Sequence, residues 1–537
     1  MSAQPVAADA ASVSDEKRES KTFGVPLNHS ESHGNGTVTT IDGVDAATLH
    51  NHEVINKAIE AIGFGKFQWQ LTFSCGFGFL VDQMILVSIS LVTPQAAMEF
   101  GPRYPTLLSA SLYAGMLFGA VVLGGLADNI GRRLVWQLSI FGCSIVTTIA
   151  ACSPNWAALN VFIVLIGLFA GGNLAIDLTI LAEAIPQQWS FILSSLAGIW
   201  GVGNAITGLI GNIYTIVAWP ILVNFGCPSG STPDNCSKGE NMGWRYLYIT
   251  LGGLCLVMSL VRAFVLRSAE SPRWLISCGR MQDAAEVINK ISKMNKSDYH
   301  ITDDQFMSID RPEANTKVRS WRANIHRAAE LFSGPKQLRL MVGLLMIWAL
   351  IGIAYPLYTI FLPYYLAANG ANFGEQSNYT TYRDWTISSV VGIFGPVLST
   401  ILVSLPWFKS RRSMLLTGII CAAFSGAFTS VRTAGENLAF SSMINFSLNA
   451  LYAIVYSYTP QVLEVQNRGL GTGVLMATGR MASLSAPFIA TFADVTTSAP
   501  IWVACACFLA IGLIAMVLPV DTMPYVSKSR EVESVRS

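Results

Sequence analysis

This sequence of 537 residues predicts an all-α membrane protein: twelve transmembrane helices arranged as two pseudo-symmetric six-helix bundles. Three observations carry the prediction. Hydrophobic residues make up 52% of the chain and charged residues 12%, which is about half the charged share of a soluble domain. Apolar stretches of about 20 residues recur along it, the length that crosses a hydrocarbon core as a helix; only elements that satisfy their own backbone hydrogen bonds are viable there. Two features of the first half also return at matching positions in the second.

The apolar windows fall at 71–93, 107–127, 134–152, 157–181, 192–217 and 246–267, and then at 340–366, 385–405, 413–432, 438–460, 470–493 and 499–519. Residues 1–65 are expected to form a cytoplasmic tail, largely disordered, because the stretch 1–50 is polar and lacks hydrophobic periodicity. The first bundle is assigned to 66–267, a cytoplasmic central segment to 268–338, the second bundle to 339–520 and a cytoplasmic C-terminal tail to 521–537. Within the central segment, "MQDAAEVINKISKMN" (281–295) has apolar residues at helical spacing and reads as an amphipathic surface helix.

Arg132, Arg133, Lys409, Arg411, Arg412 and Arg468 fall in loops on one side, as do the central segment and the C-terminal tail. Positively charged loops stay in the cytoplasm, so both termini are expected there. The sequons at Asn235 and Asn378 lie on the opposite, outer side and are glycosylation candidates. Most of the ten cysteines fall in apolar spans, where they read as small buried hydrophobes. Cys227 and Cys236 share one outer loop, "GCPSGSTPDNCS", where an oxidising environment permits a disulfide.

The internal echo is a pointer to transport. "GGLADNIGRR" (124–133) follows the second window, and "VSLPWFKSRR" (403–412) follows the eighth. Both end in a double arginine before the next window. "AEAIPQQWS" (182–190) closes the fourth window and "YTPQVLEVQNRGLGTG" (458–473) closes the tenth, each with a Glu and a Pro at the helix end.

On these stretches the chain resembles the major facilitator superfamily over about 60–525. "GGLADNIGRR" matches the family's loop motif, "ESPRWL" (270–275) the sugar-porter-like signature, and "LPVDT" (518–522) the sugar porters' Pro-Glu-Thr ending more weakly. "IGFGKFQWQL", "IWALIGIAYPLYTIFLP" and "YSYTPQVLEVQNRG" are similar to a fungal branch related to synaptic-vesicle-type transporter proteins. The resemblance implies the major facilitator fold and a gate built from Gly125, Asp128, Gly131, Arg132, Arg133, Glu183, Glu464 and Arg468. One departure bears on that gate: Gln461 stands directly after "YTP", where relatives carry Glu, and Glu464 comes three residues later. Asp128 is expected to meet a neighbouring helix N-terminus or an arginine across the two halves, holding one conformation shut.

Ionisable groups deep in a membrane are expensive and therefore functional candidates. Asp82 lies halfway along the first window, Asp177 in the fourth and Arg480 near the middle of the eleventh. Asp177 precedes Glu183 by six residues, placing it about 9 Å deeper along the helix. A carboxyl whose surroundings change between two conformations can carry a proton. The alternative is static pairing of Asp82 with Arg480, or of Asp177 with a cytoplasmic arginine, that fixes packing. Arg480 pairs with an acid or attracts an anionic substrate.

The resemblance puts helices 1, 4, 7 and 10 around a central cavity. Gln83, Asn173, Trp348, Tyr355, Tyr358, Asn449, Tyr452 and Tyr456 are the binding candidates on them, with Asn204 of helix 5 in addition. Aromatic walls with a few hydrogen-bonding groups suit a small organic solute; simple packing is the competing reading. No zinc-ligand spacing and no Gly-x-x-x-x-Gly-Lys loop occur, so no enzyme activity, cofactor or metal is expected. The net charge of +1 offers no basis for nucleic-acid binding.

The expected function is proton-coupled uptake of a small organic solute by alternating access, by a monomer in the plasma-membrane bilayer. The alternatives are proton-antiport efflux on the same scaffold and a nutrient receptor that binds without transporting.

Overall fold

The computed structural model describes residues 46–186, 189, 191–212, 226–227, 231–266, 269–307, 329, 331–369, 378–431, 433–463, 468–492 and 498–521. Among the described residues, each of the twelve predicted windows falls on helix; residues 213–217 of the fifth window lie outside them. In the first half these are α2 (Lys66–Phe100), α3 (Leu107–Ile130), α4 (Arg132–Ala150), α5 (Trp156–Ala184), α6 (Phe191–Asn212) and α7 (Gly243–Leu260). In the second they are α10 (Pro335–Asn369), α11 (Asn378–Gly392) with α12 (Gly395–Ser404), α13 (Lys409–Phe428), α14 (Ala434–Val462), α15 (Arg468–Phe492) and α16 (Ala499–Val517). Among the described residues, nine helical stretches are long and apolar enough to cross a membrane.

α2 and α10 have 35 residues each, about 52 Å at the α-helical rise, so both extend well beyond a hydrocarbon core of about 30 Å. The eighth window is split in two at Ile393–Phe394, just before Pro396, whose missing N–H and ring disfavour an unbroken ladder. The sixth ends in a π-turn, Val261–Val265. Within the first half, α3 and α5 cross with glycines face to face. A Cβ on Gly119 would strike the Leu168 carbonyl, and one on Gly171 the backbone of Met116. The glycine-rich run 167–173 is thus a packing surface, as small residues at membrane helix crossings usually are.

The segment expected to be tail is helical in part: α1 spans Ala46–Ile62. Its Ile55, Ala58, Ile59 and Ile62 are buried at helical spacing against Leu275 and Ile276 of α8 (Pro272–Ser277) and Ala284 and Ile288 of α9 (Met281–Asn295). Asn51 adds two hydrogen bonds to the Met307 backbone, 2.9 and 2.8 Å. That apolar stripe outweighs the polar composition around it, so the expected tail, read as largely disordered, is a packed helix over Ala46–Ile62.

Candidate functional site

The centre of the membrane region is a polar contact between the halves. Asp82 of α2 accepts two hydrogen bonds from the Arg480 guanidinium of α15, at 2.9 and 3.1 Å. Their side chains are 1% and 16% exposed respectively. Next to Asp82, the Gln83 amide donates to the Tyr355 hydroxyl of α10 at 2.8 Å, again from one half to the other.

A chain of aromatic rings continues from Tyr355. Tyr355 meets Tyr452 of α14 edge to face at 5.4 Å, and Tyr452 lies nearly parallel to Tyr456 at 6.0 Å. Trp200 of α6 packs edge-on against Tyr456 at 4.5 Å and Tyr452 at 5.8 Å. Trp348 completes the wall, 4.7 Å from Tyr456, with its N–H donated to Thr459 at 3.0 Å. T-shaped and offset arrangements are favoured because the ring edge is positive and the face negative. Two buried polar atoms here lack a hydrogen-bond partner: Trp200 Nε1 and, four residues along the same helix, Asn204 Oδ1.

Three binding candidates lie elsewhere. Tyr358 is buried inside the second half, its hydroxyl without a hydrogen-bond partner. Asn449 donates to the Gly392 carbonyl at 3.3 Å, bracing α14 against α11. Asn173 belongs to a separate polar cluster in the first half. There Asp177 accepts from Asn173 (2.7 Å), from Arg262 (3.0 Å) and from the Trp136 indole. Arg262 sits on the π-turn, donates also to Asn173 (3.0 Å) and to the Ser74 carbonyl of α2 (3.1 Å), and lies 4.0 Å from the Trp136 ring centroid. Four helices are thereby tied through one buried ion pair. The cationic partner of Asp177 is accordingly not a cytoplasmic loop arginine but one inside the sixth window.

At the end of the bundle carrying residues 124–133, Gly131 turns the chain at φ 107°, a conformation open to glycine and strained for other residues. The Glu270 carboxylate accepts from the backbone N–H groups of Arg132 (3.1 Å) and Arg133 (3.2 Å), capping the start of α4. A carboxylate there offsets the positive end of the helix dipole. Arg132 itself pairs with Glu183 at 2.5 Å, and Ser271 also donates to Glu183 at 2.9 Å. Gly125 has open space around it, so it serves no close backbone approach. The Asp128 and Arg468 side chains and all of Glu464 lie outside the described residues.

At the other end Cys227 and Cys236 are joined by a disulfide, Cα–Cα 6.0 Å. Asn235 beside it is exposed, and Asn378 begins α11. Ser237 gives its backbone N–H (3.1 Å) and hydroxyl (2.9 Å) to Glu240, holding that carboxyl below its ordinary range. Beneath the loop Arg245 grips Glu99 of α2 with two bonds of 2.7 Å.

Sequence reasoning passed over Arg262, Glu270, Trp200 and the Glu99–Arg245 pair. Arg262 lies inside an apolar window, five residues from its end; Glu270 and Trp200 owe their roles to partners distant in the chain.

Two six-helix bundles that meet through one central ion pair define a helical membrane protein of the secondary-transporter class. The chain belongs to the Major Facilitator Superfamily, whose profile matches residues 71–487. It is 34% identical over 493 residues to the major facilitator-type transporter hxnZ of Emericella nidulans, covering 88% of this chain and 86% of that one. It is 32% identical over 491 residues to the MFS siderochrome iron transporter 1 of Ceriporiopsis subvermispora, covering 90% and 92%. Among solved structures, the xylose transporter XylE from E. coli, in a partially occluded inward-open conformation, superposes with a TM-score of 0.61 at 14% identity, covering 85% of this chain and 98% of that one. These relatives are transporters and not enzymes.

Proposed function

We propose that this transporter takes up a small organic solute together with a proton by alternating access, with Asp82 as the proton carrier and Arg480 as its charge partner. The observation that supports this reading is the buried ion pair between α2 and α15. A carboxylate pinned at the seam of two moving bodies gains and loses its cation as they separate and close, which is what a proton carrier requires. The end with Arg132, Arg133, Lys409, Arg411 and Arg412 faces the cytoplasm, and the disulfide loop with Asn235 faces outward and carries glycan at the plasma membrane. Gly131, Arg132 and Glu183, with Asp128, Glu464 and Arg468, form the cytoplasmic latch, and the protein works as a monomer.

The test is flux into proteoliposomes from a metabolite extract under an inward proton gradient, read by mass spectrometry. Uptake predicts that a solute accumulates; emptying of preloaded vesicles points to antiport, and binding without flux to a receptor. For the accumulated solute, Asp82→Asn is expected to slow uphill uptake about tenfold or more while sparing exchange. Unchanged uphill uptake in that variant rules out Asp82 as the carrier.

A further inference from the structure

We infer that the central site takes a small planar organic anion, a carboxylate on an aromatic or heteroaromatic body, and that this carboxylate exchanges with Asp82 for Arg480. The inference rests on the transport reading above and specifies its cargo.

Three observations carry it. The first is the unequal exposure of the ion pair. Asp82 is sealed at 1% exposed, whereas Arg480 is 16% exposed, so an entering molecule reaches the cation and not the acid. An organic cation would need the opposite. Guanidinium forms paired, planar hydrogen bonds with carboxylates, so the group that best replaces Asp82 is another carboxylate.

The second is the wall. Trp200, Tyr355, Tyr452 and Tyr456 offer a continuous set of ring faces and edges that begins at Tyr355, bonded to Gln83 beside Asp82, which suits a flat, apolar body. A polyhydroxylated solute needs many free acceptors and donors, yet the Tyr355 hydroxyl is already engaged by Gln83 and the Trp348 N–H by Thr459.

The third is the pair of unpartnered atoms on α6. Trp200 is 7% and Asn204 5% exposed, and Trp200 Nε1 and Asn204 Oδ1 make no hydrogen bond. Leaving a buried donor and acceptor unmatched costs stability, and a ligand with polar atoms on its rim supplies the match. They stand four residues apart, on one helix face.

The exchange has a consequence for binding. While Asp82 holds Arg480, the site competent for an anion is only fractionally populated, and apparent affinity falls by that fraction. Protonating Asp82 releases the guanidinium. The groups facing Asp82 from the surrounding helices are Arg480, Tyr113 of α3, Cys143 of α4, Tyr355 of α10 and Tyr456 of α14. Thiols and phenols are ordinarily neutral near pH 7 and guanidinium is always charged, so in this set the carboxyl supplies the pH response.

The test is calorimetric binding to the full-length purified protein at one symmetric pH, with benzoate, benzamide and cyclohexanecarboxylate as probes. Benzoate is expected to bind, with benzamide and cyclohexanecarboxylate each about tenfold weaker or more. Benzoate affinity should rise as the pH falls in the wild type. Asp82→Asn should bind benzoate about tenfold tighter with that pH dependence gone, and Arg480→Gln should lose it. Should Arg480→Gln not fold, Arg480→Lys takes its place, with expected weakening of about tenfold. No benzoate binding at millimolar concentration, benzamide equal to benzoate, or weaker benzoate binding by a folded Asp82→Asn protein overturns the inference. A structural ion pair predicts the last of these. Binding needs no proton gradient, so failure of uphill uptake leaves this result readable by itself.

Discussion

Arg262 and Asp177 are 1% and 0% exposed, and neither reaches water if the other is removed. Breaking a buried pair by deleting one partner costs about 3–5 kcal/mol, whereas replacing both with apolar groups is often neutral or better. Arg262→Ala is therefore expected to lower the unfolding temperature of the detergent-solubilised protein sharply. The double variant Arg262→Met/Asp177→Leu should recover much of that loss; a double variant less stable than either single one would contradict this account. Individual charges in apolar windows were legible, and Asp82, Asp177 and Arg480 stood out as soon as the windows were drawn. Their partners were less so. Asn173 looks like a cavity residue from its helix alone, yet Ser139, Asp177 and Arg262 consume its amide, and only their convergence in space reveals it. Arg262 sits five residues from the end of its window and reads as a boundary charge, because nothing in composition announces a π-turn.

Helices were the most legible level, since about 20 apolar residues in a row leave few alternatives in a bilayer. Where prediction failed, the cause was a weaker pattern. The stripe Ile55, Ala58, Ile59 and Ile62 is short and set among polar residues, and its burial depends on α8 and α9 more than 200 residues later. Close crossings are a second case, because a glycine in a helix reads alike whether packed or open. Gly119 and Gly125 separate the two conditions. A Cβ on Gly119 meets the backbone of α5, which has no side-chain freedom to yield, while one on Gly125 meets nothing within 4 Å. Gly119→Ala should thus cost about 1–3 kcal/mol, and Gly125→Ala should be neutral or slightly stabilising from helix propensity, by up to about 1 kcal/mol. Thermal unfolding of the two variants side by side decides it; equal effects would mean the α3–α5 crossing is looser than described.

At the scale of the whole molecule, the halves touch at the disulfide end as well as at the centre: Thr106 and Thr491 share a hydrogen bond of 2.6 Å across them. Cysteines at both positions, oxidised to a crosslink, should pin that end shut and stop flux, and reductant should restore it. Flux that persists through the crosslink would show that this end need not open. Pairing of the bundles was anticipated from the echoed loops, and Trp348, Tyr355, Tyr452 and Tyr456 were among the aromatic candidates; Trp200, which meets them from the first half, was not, since it shares no motif with them. The central ion pair finally says something about membrane voltage. With the site empty, the aspartate and the arginine cancel, so the carrier can return across the bilayer with no net charge at its centre. With an anion on Arg480 and a proton on Asp82, the sum is again zero. An elementary charge crossing 100 mV exchanges about 2.3 kcal/mol with the field, so either limb would feel the potential if this balance failed. Neither should. If the proposed cycle holds, uptake into vesicles clamped with potassium and valinomycin is expected to run at the same rate whichever way the voltage points, driven only by the concentration gradients of proton and solute.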